Sequence, residues 1–405
     1  MDLNYLYGPS AGIQTERFDK LKAYFAQKFG DSEGVRLISA PGRTEIAGNH
    51  TDHNHGCVLA ASVDMDSVAA VRPVKGDTVT LYSDMYEEPF IVSLDALEPT
   101  EAEKETTSSL IRGMAAGMKQ NGFEIGGFEA CVTSSVQRGS GLSSSAAFEV
   151  MLGKIFSVLY NGDRLDAKLN AKISQFAENK FFMKPCGLMD QMASAVGGLT
   201  YIDFKGGGAA VEKISYDFAS KGFTPCVVSA GGDHGNLTNE YAAIPAEMKA
   251  VARLLGAETL RDVEDKIEAS VPMLKNRVSD RAILRALHFA DENRRVRKMV
   301  EALKNDDLDA FFAGVIASGE SSWKLLQNLY VAGGSNQEMP LALEMSRRFL
   351  EGRGAWRIHG GGFAGTILAF VPTGELAAYT AYMEAVFGKG AVKPMFIRPE
   401  GAVEL

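Results

Sequence analysis

Residues Gly139-Ser140-Gly141-Leu142-Ser143-Ser144-Ser145-Ala146 form a turn that has to open a helix, because three consecutive serines cap the strongly apolar stretch from Ser144 to Tyr160. A turn of this kind points successive backbone N–H groups at one anion. The helix start adds its dipole and its unsatisfied donors. The glycines let the backbone come close, and the serine hydroxyls supply further donors or a metal ligand. Neither common nucleotide fingerprint is present. The Gly-Lys-Ser/Thr ending of a Walker A loop is missing, and so is the third glycine of a Rossmann turn. The plainer alternative, a flexible serine-rich turn before a core helix, is outweighed by the three serines.

A second loop carries complementary chemistry. Ala40-Pro41-Gly42-Arg43-Thr44-Glu45-Ile46-Ala47-Gly48-Asn49-His50-Thr51-Asp52-His53-Asn54 gathers an amide, an imidazole and a carboxylate at Asn49, His50 and Asp52. Short polar side chains held rigidly suit a ligand covered in hydroxyls. Arg43 keeps its proton and can stabilise developing phosphoryl charge. The rival reading of His50, Asp52, His53 and His55 as a metal cluster lacks a helical pair of histidines four apart. A third segment, Pro185-Cys186-Gly187-Leu188-Met189-Asp190-Gln191-Met192, sets a carboxylate among apolar neighbours, where it needs a partner such as Arg43 to stay ionised. Glu178, at the end of a helix, can complete a sparse Mg²⁺ site with a loop serine and phosphate oxygens. Taken together, these parts suggest transfer of a phosphoryl group from a nucleotide to a sugar.

Bulk properties narrow the class. At 405 residues the chain is long enough for two domains or one large composite. A net charge of -9 argues against nucleic acid as a partner. No apolar run approaches a membrane span of roughly 20 residues, and Met1 to Gln14 does not read as a secretory signal. Cys57, Cys131, Cys186 and Cys226 show neither metal spacing nor a disulfide framework, which fits free thiols and a cytoplasmic location.

Periodicity predicts a mixed α+β fold. Helices are expected from Thr15 to Phe29, Leu110 to Met118, Ser144 to Tyr160, Asp166 to Glu178 and Leu341 to Leu350, with more between Asn239 and Leu329. Strands are expected at Val35–Ala40 (stopped by Pro41), Val58–Val63, Ser67–Val71, Thr78–Ser83, Phe90–Leu94, Gly127–Ser134, Gly197–Phe204, Thr224–Ser229 and Thr366–Val371. Lys205-Gly206-Gly207-Gly208 is the expected change of domain, and Gly360-Gly361-Gly362-Phe363-Ala364-Gly365 a second glycine-rich turn.

On these residues the chain resembles the galactokinases of the GHMP small-molecule kinase superfamily. Pro41-Gly42-Arg43, Gly48, His50-Thr51-Asp52 and Asn54 are similar to the galactokinase signature loop. Gly139 to Ala146 is similar to the superfamily's phosphate loop, Gly360 to Gly365 to its third motif, and Cys186 to Gln191 to the segment bearing the catalytic aspartate. The resemblance implies a two-domain GHMP kinase fold with the active site in the cleft between domains 1–205 and 206–405. It implies Asp190 as proton acceptor and Arg43 as transition-state stabiliser. Asn49, His50, Thr51, Asp52, Gly187 and Tyr241 would hold the sugar. Ser83 and the segment Gly139, Ser140, Gly141, Leu142, Ser143, Ser144 and Ser145 would hold ATP. Ser145 and Glu178 would hold Mg²⁺. The implied reaction gives galactose 1-phosphate from galactose and MgATP; the alternatives are a kinase for N-acetylgalactosamine or arabinose, and a non-catalytic sugar sensor. The departures from the family pattern are Glu45 for asparagine, Asn49 for glutamate, His53 for tyrosine, His359 for a small polar residue, Ala364 for glycine, and Thr107 and Leu110 in a stretch where family members often place aromatic residues near the adenine.

Overall fold

The computed structural model describes residues 2–137, 139, 141–231, 237–331, 335, 337–363 and 365–405. Its first half runs α1 (Leu3–Tyr7), α2 (Gln14–Phe29), β1 (Arg36–Ala47), β2 (Cys57–Pro73), β3 (Thr78–Ser83), β4 (Phe90–Ser93), α3 (Thr107–Gln120), β5 (Phe128–Ser134), α4 (Ser144–Tyr160), α5 (Ala167–Lys180), α6 (Met189–Val196), β6 (Leu199–Asp203) and β7 (Ala210–Ile214). The second continues with β8 (Phe223–Gly231), α7 (Thr238–Leu254), α8 (Ile267–Leu274), α9 (Asp280–Lys304), α10 (Leu308–Ser321), α11 (Glu338–Leu350), β9 (Ala355–His359), β10 (Gly365–Pro372), α12 (Leu376–Phe387), β11 (Val392–Pro394) and β12 (Val403–Glu404).

Two sheets organise the molecule. The larger runs β12-β1-β2-β5-β3-β4, and β6 joins the far end of β2 and carries β7. The smaller is β11-β8-β10-β9. Side-chain alternation along β2 explains how it is covered on both faces. Ala69 and Val71 pack with Met114, Val150, Ile155 and Met192 of the helical layer. Val68 and Ala70 pack with Phe18, Leu21 and Phe25 of α2. On the smaller sheet, Val228, Ile367 and Ala369 meet Leu343 and Tyr379, while Val227, Leu368 and Phe370 meet Val315 and Phe311. That last core also takes in Ile46, Leu59 and Leu199 of the larger sheet, so one apolar core joins both.

The strands depart from the sequence expectation at several points, and β7, β9, β11 and β12 have no counterpart in it. Val58–Val63 and Ser67–Val71 are one continuous strand, β2. Pro41 does not end β1; the strand runs on to Ala47, with a register irregularity between Pro41 and Arg43 that accommodates a residue with no N–H to give. A cut after residue 205 would part β6 from β7, which pair directly, and would strand β12 from β1. The larger sheet therefore draws strands from both sides of residue 205.

Candidate active site

The irregularity in β1 aims Arg43 at the phosphate loop. Gly42 passes so close to it that a Cβ there would stand 2.9 Å from the Leu142 carbonyl, and Arg43 N–H donates to that same carbonyl at 3.0 Å. Arg43 also donates from Nη1 to the Gly141 carbonyl. Its remaining face grips Asp190 bidentately, Nε to Oδ1 at 2.8 Å and Nη2 to Oδ2 at 2.6 Å. Asp190 sits in the first turn of α6, an element that the sequence reading did not anticipate. Burial opposes its charge, but Arg43 and a hydrogen bond from Ser143 hold the carboxyl below its ordinary range. The Asp190 side chain remains 31% exposed, so the ion pair is reachable from solvent on one side.

The phosphate loop is shaped by backbone that few residues adopt. Gly139 and Gly141 both have φ 74°, and Ser143 holds φ 57° immediately before α4. A left-handed serine at a helix start is strained, as such positions in ligand-binding loops often are. A Cβ on Gly141 would meet Thr366 Oγ1 at 2.6 Å and His359 Nδ1 at 2.8 Å, so the smaller sheet backs the loop directly. Ser145 Oγ donates to Glu178 Oε1 at 3.3 Å. Glu178 is only 3% exposed, which removes the plain reading of it as a solvated helix end. Ser83 ends β3, which runs parallel to β5, so both strands point toward the same edge, where β5 passes into the loop. Ser140 and Ala364 lie outside the described residues.

The signature loop splits into residues that face the site and residues that build it. Asp52 packs on Gly187 so tightly that a Cβ there would stand 1.8 Å from Asp52 Oδ2. Gly187→Ala is therefore expected to push Asp52 aside and raise the sugar KM, with turnover down by up to about 10²-fold for a displacement near 1 Å; unchanged steady-state kinetics would detach this pair from the substrate. His50 has φ 57°, bonds through Nε2 to the Gly361 carbonyl at 2.8 Å, and is pushed down to about 4 by burial and by His53, so its ring is neutral at pH 7. Tyr241 donates to the Gly362 carbonyl at 2.7 Å and lays its ring against Gly361.

Two expectations need correction, those for Asn49 and Thr51. Asn49 is wholly buried: Nδ2 donates to Glu45 Oε1 at 3.0 Å and to the Gly360 carbonyl at 2.7 Å, while Oδ1 accepts from Asn328 at 2.8 Å and Ser322 at 3.3 Å. Its amide is committed to protein on every side and has nothing left for a sugar. Thr51 is buried too, its hydroxyl tied to the carbonyls of Gly48 and Cys57. Leu142 turns its side chain into the core and gives its carbonyl to Arg43. Among the described residues no three His, Cys, Asp or Glu side chains could hold a metal together, so His50, Asp52, His53 and His55 form no cage.

Two of the departures from the family pattern, Glu45 and His359, have local explanations. Glu45 pairs with the fully buried Arg357 at 3.0 Å and accepts from Asn49, and burial pushes its carboxyl up against the pull of Arg357. His359 accepts at Nε2 from the Glu45 N–H at 3.4 Å, so Nδ1 carries the proton and donates to Thr366 Oγ1 at 2.9 Å. Burial, then Arg43 and Arg357, keep that ring neutral. Sequence reading missed Arg357 and Glu292. Glu292 is fully buried and accepts from Gly48 N–H at 2.9 Å and Ser318 Oγ at 2.5 Å. Its charge survives burial because Arg295, then His288 and Arg357, hold it down to about 2.

Comparison with known proteins adds the lineage. The galactokinase galactose-binding signature matches residues 23–73, and the GHMP kinases N-terminal domain matches residues 109–198. A galactokinase of Glaesserella parasuis serovar 5 (strain SH0165) is 31% identical over 366 residues, 87% of this chain and 89% of the relative. The chain belongs to the galactokinase family. Another galactokinase, from Streptomyces coelicolor (strain ATCC BAA-471 / A3(2) / M145), is 30% identical over 388 residues, 95% of this chain and 94% of its own length. In fold, this galactokinase-family chain superimposes on Lactococcus lactis galactokinase complexed with galactose with a TM-score of 0.85 at 23% identity, covering 96% and 100% of the two chains. Methanococcus jannaschii mevalonate kinase follows at 0.63 and 16% identity, covering 92% and 99%. The molecule thus has the GHMP kinase fold and is an ATP-dependent sugar kinase. Among the described residues no helix is long and apolar enough to cross a membrane.

Proposed function

We propose that this chain transfers the γ-phosphoryl group of MgATP to the anomeric hydroxyl of α-D-galactose, giving galactose 1-phosphate. The observation that carries this reading is the bidentate Arg43–Asp190 pair locked beneath the phosphate loop. Asp190 is held as an anion well below neutral, so in the resting enzyme it orients the hydroxyl by accepting its hydrogen bond. It takes the proton late, as the new bond to phosphorus forms and the hydroxyl becomes acidic. Arg43 fixes the carboxylate and faces the charge that spreads over the transferring group. Positioning and electrostatics then supply most of the rate, as is usual in phosphoryl transfer. Asp52, His50 and Tyr241 are the proposed sugar-facing residues beside Gly187. Gly139, Gly141 and Ser143–Ser145 are the proposed phosphate cradle, with Ser83 toward the nucleoside.

The Ser145 hydroxyl and the Glu178 carboxylate suit Mg²⁺, a hard cation that binds through few protein oxygens and completes its shell with water and phosphate. When bound, it would neutralise phosphate charge. Glu178→Gln is expected to raise the Mg²⁺ concentration giving half-maximal rate by at least about 10-fold, by analogy with the loss seen when residues around a metal site are changed. An unchanged Mg²⁺ dependence would return Glu178 to a packing role.

A panel of galactose, N-acetylgalactosamine, arabinose and glucose, read as sugar-dependent ADP release with the product resolved by ³¹P NMR, tests the whole reading. Galactose should give the highest kcat/KM and a phosphate on the anomeric oxygen. Preference for another sugar would move the substrate, and sugar-independent release alone would reject the kinase mechanism.

A further inference from the structure

A buried polar strip runs inward from the proposed cation site between α4 and α5. On α4, Ser145, Glu149 and Gly153 fall four residues apart and so share one face. On α5, Asn170, Ser174 and Glu178 do the same. The helices close most tightly at the far end, where a Cβ on Gly153 would stand 1.9 Å from Asn170 Oδ1. Glu149 is fully buried, yet the phosphoryl-transfer chemistry above makes no use of it. Gln191, next to Asp190, reaches into this strip. Its Nε2 donates to Glu178 Oε2 at 2.7 Å and to Glu149 Oε2 at 3.1 Å. The amide turns its NH₂ toward the two carboxyl groups and donates to both.

We propose that Glu149 is a positioning residue for the cation-binding carboxylate of Glu178, acting through the side-chain amide of Gln191. Ser145 holds Glu178 Oε1 and Gln191 holds Oε2, with the Cys186 thiol as a further hydrogen-bond partner of the carboxylate. With Oε2 pinned, Oε1 stays turned toward the serine that would share the ion. Gln191 can hold that orientation only if its own amide is fixed; Glu149 is the second oxygen acceptor that fixes it, nearer than Cys186 Sγ at 3.6 Å. Hydrogen-bonded neighbours of this kind commonly set both the orientation and the affinity of a metal ligand. Among the described residues, Glu149 Oε1, Asn170 Oδ1, Ser174 Oγ and Gln191 Oε1 are buried without partners. Three of the four belong to acceptors that lack a donor. A glutamine at 149 could therefore keep its oxygen on Gln191 and turn its NH₂ toward these acceptors.

This inference rests on the reading of Ser145 and Glu178 as cation ligands, and the experiment separates the two. Mn²⁺ binding to the full-length protein in the presence of ADP is followed by the electron paramagnetic resonance of the free ion, without turnover. Glu178→Gln should abolish tight Mn²⁺ binding; if it does not, the cation site itself is misread. Glu149→Leu and Gln191→Met should each weaken Mn²⁺ by about 10-fold, and the double variant should lose no more than either single one, because both break one relay. Glu149→Gln should stay within about twofold of the parent, since it keeps the acceptor. Wild-type affinity in Glu149→Leu, additive losses in the double variant, or an equal loss in Glu149→Gln would each overturn the relay. Should Glu149→Leu fail to fold, Gln191→Met and Glu149→Gln decide the matter: unweakened binding in the first, or weakened binding in the second, overturns it.

Discussion

Asp190→Asn is expected to lower turnover by about 10²- to 10⁴-fold, the range associated with losing a positioned proton acceptor. The amide keeps the volume and can still accept one of the two hydrogen bonds from Arg43. Its NH₂, however, would face the second guanidinium N–H, donor against donor, where Oδ2 now sits 2.6 Å from Nη2. Arg43 is nearly buried, so leaving its charge half-matched also costs stability. That cost should fall short of the 3–5 kcal/mol typical of breaking a fully buried pair, because one side of Asp190 is open to water. Steady-state rates and melting temperature measured on the same preparation separate the effects. Near-normal turnover would remove Asp190 from the chemistry. A collapse of turnover with only a modest fall in melting temperature is the expected outcome, and the sugar KM should change much less than kcat, since the lost interaction develops mainly in the transition state.

The residues of the candidate site that meet in the fold were legible because they belong to local motifs with local physical meanings. A glycine- and serine-rich turn before an apolar helix announces an anion site wherever it occurs, and an aspartate among apolar residues announces a charged partner. The sequence reading therefore reached Arg43, Asp190, Ser145 and Glu178, and the fold brings each pair into contact. What it could not reach are partners supplied by distant strands and helices. Arg357, which neutralises Glu45, lies on β9, and Glu292, which receives the Gly48 N–H, lies on α9. Neither stands in a motif, and an isolated charge on a helix or strand is more often solvated than buried. The error over Asn49 has the same origin. In the linear loop it stands beside His50 and looks equally available, but a tight turn with a left-handed His50 sends the two side chains apart. Strand ends failed for a related reason. Pro41 normally stops a strand, yet here the ladder tolerates it at an irregularity whose partner, Asp66, is far along the chain.

The buried position of Asn49 turns a question about substrate into one about stability, with a large expected effect. In Asn49→Glu, a carboxylate would replace an amide nitrogen that now donates to Glu45 Oε1 at 3.0 Å and to the Gly360 carbonyl at 2.7 Å. Two acceptors would face a third, in a region closed to water, with Arg357 as the direct counter-charge on Glu45. An uncompensated buried charge costs about 3–5 kcal/mol, so urea denaturation should show a loss of that order. The reciprocal exchange, Asn49→Glu with Glu45→Asn, restores one charge and one amide. The amide now at position 45 can donate to the carboxylate now at position 49 across the same contact. Its oxygen can accept from Arg357, and Asn328 and Ser322 still donate to position 49. Only the Gly360 carbonyl loses its donor. The double variant should therefore recover more than half of the lost stability, a strongly non-additive result for residues in direct contact. Full stability in the single variant would mean that position 49 is open to solvent and free to meet the sugar after all. Additive losses would mean that Glu45 and Asn49 do not act as a pair. Neither fits a side chain whose amide is satisfied entirely by Glu45, Gly360, Ser322 and Asn328.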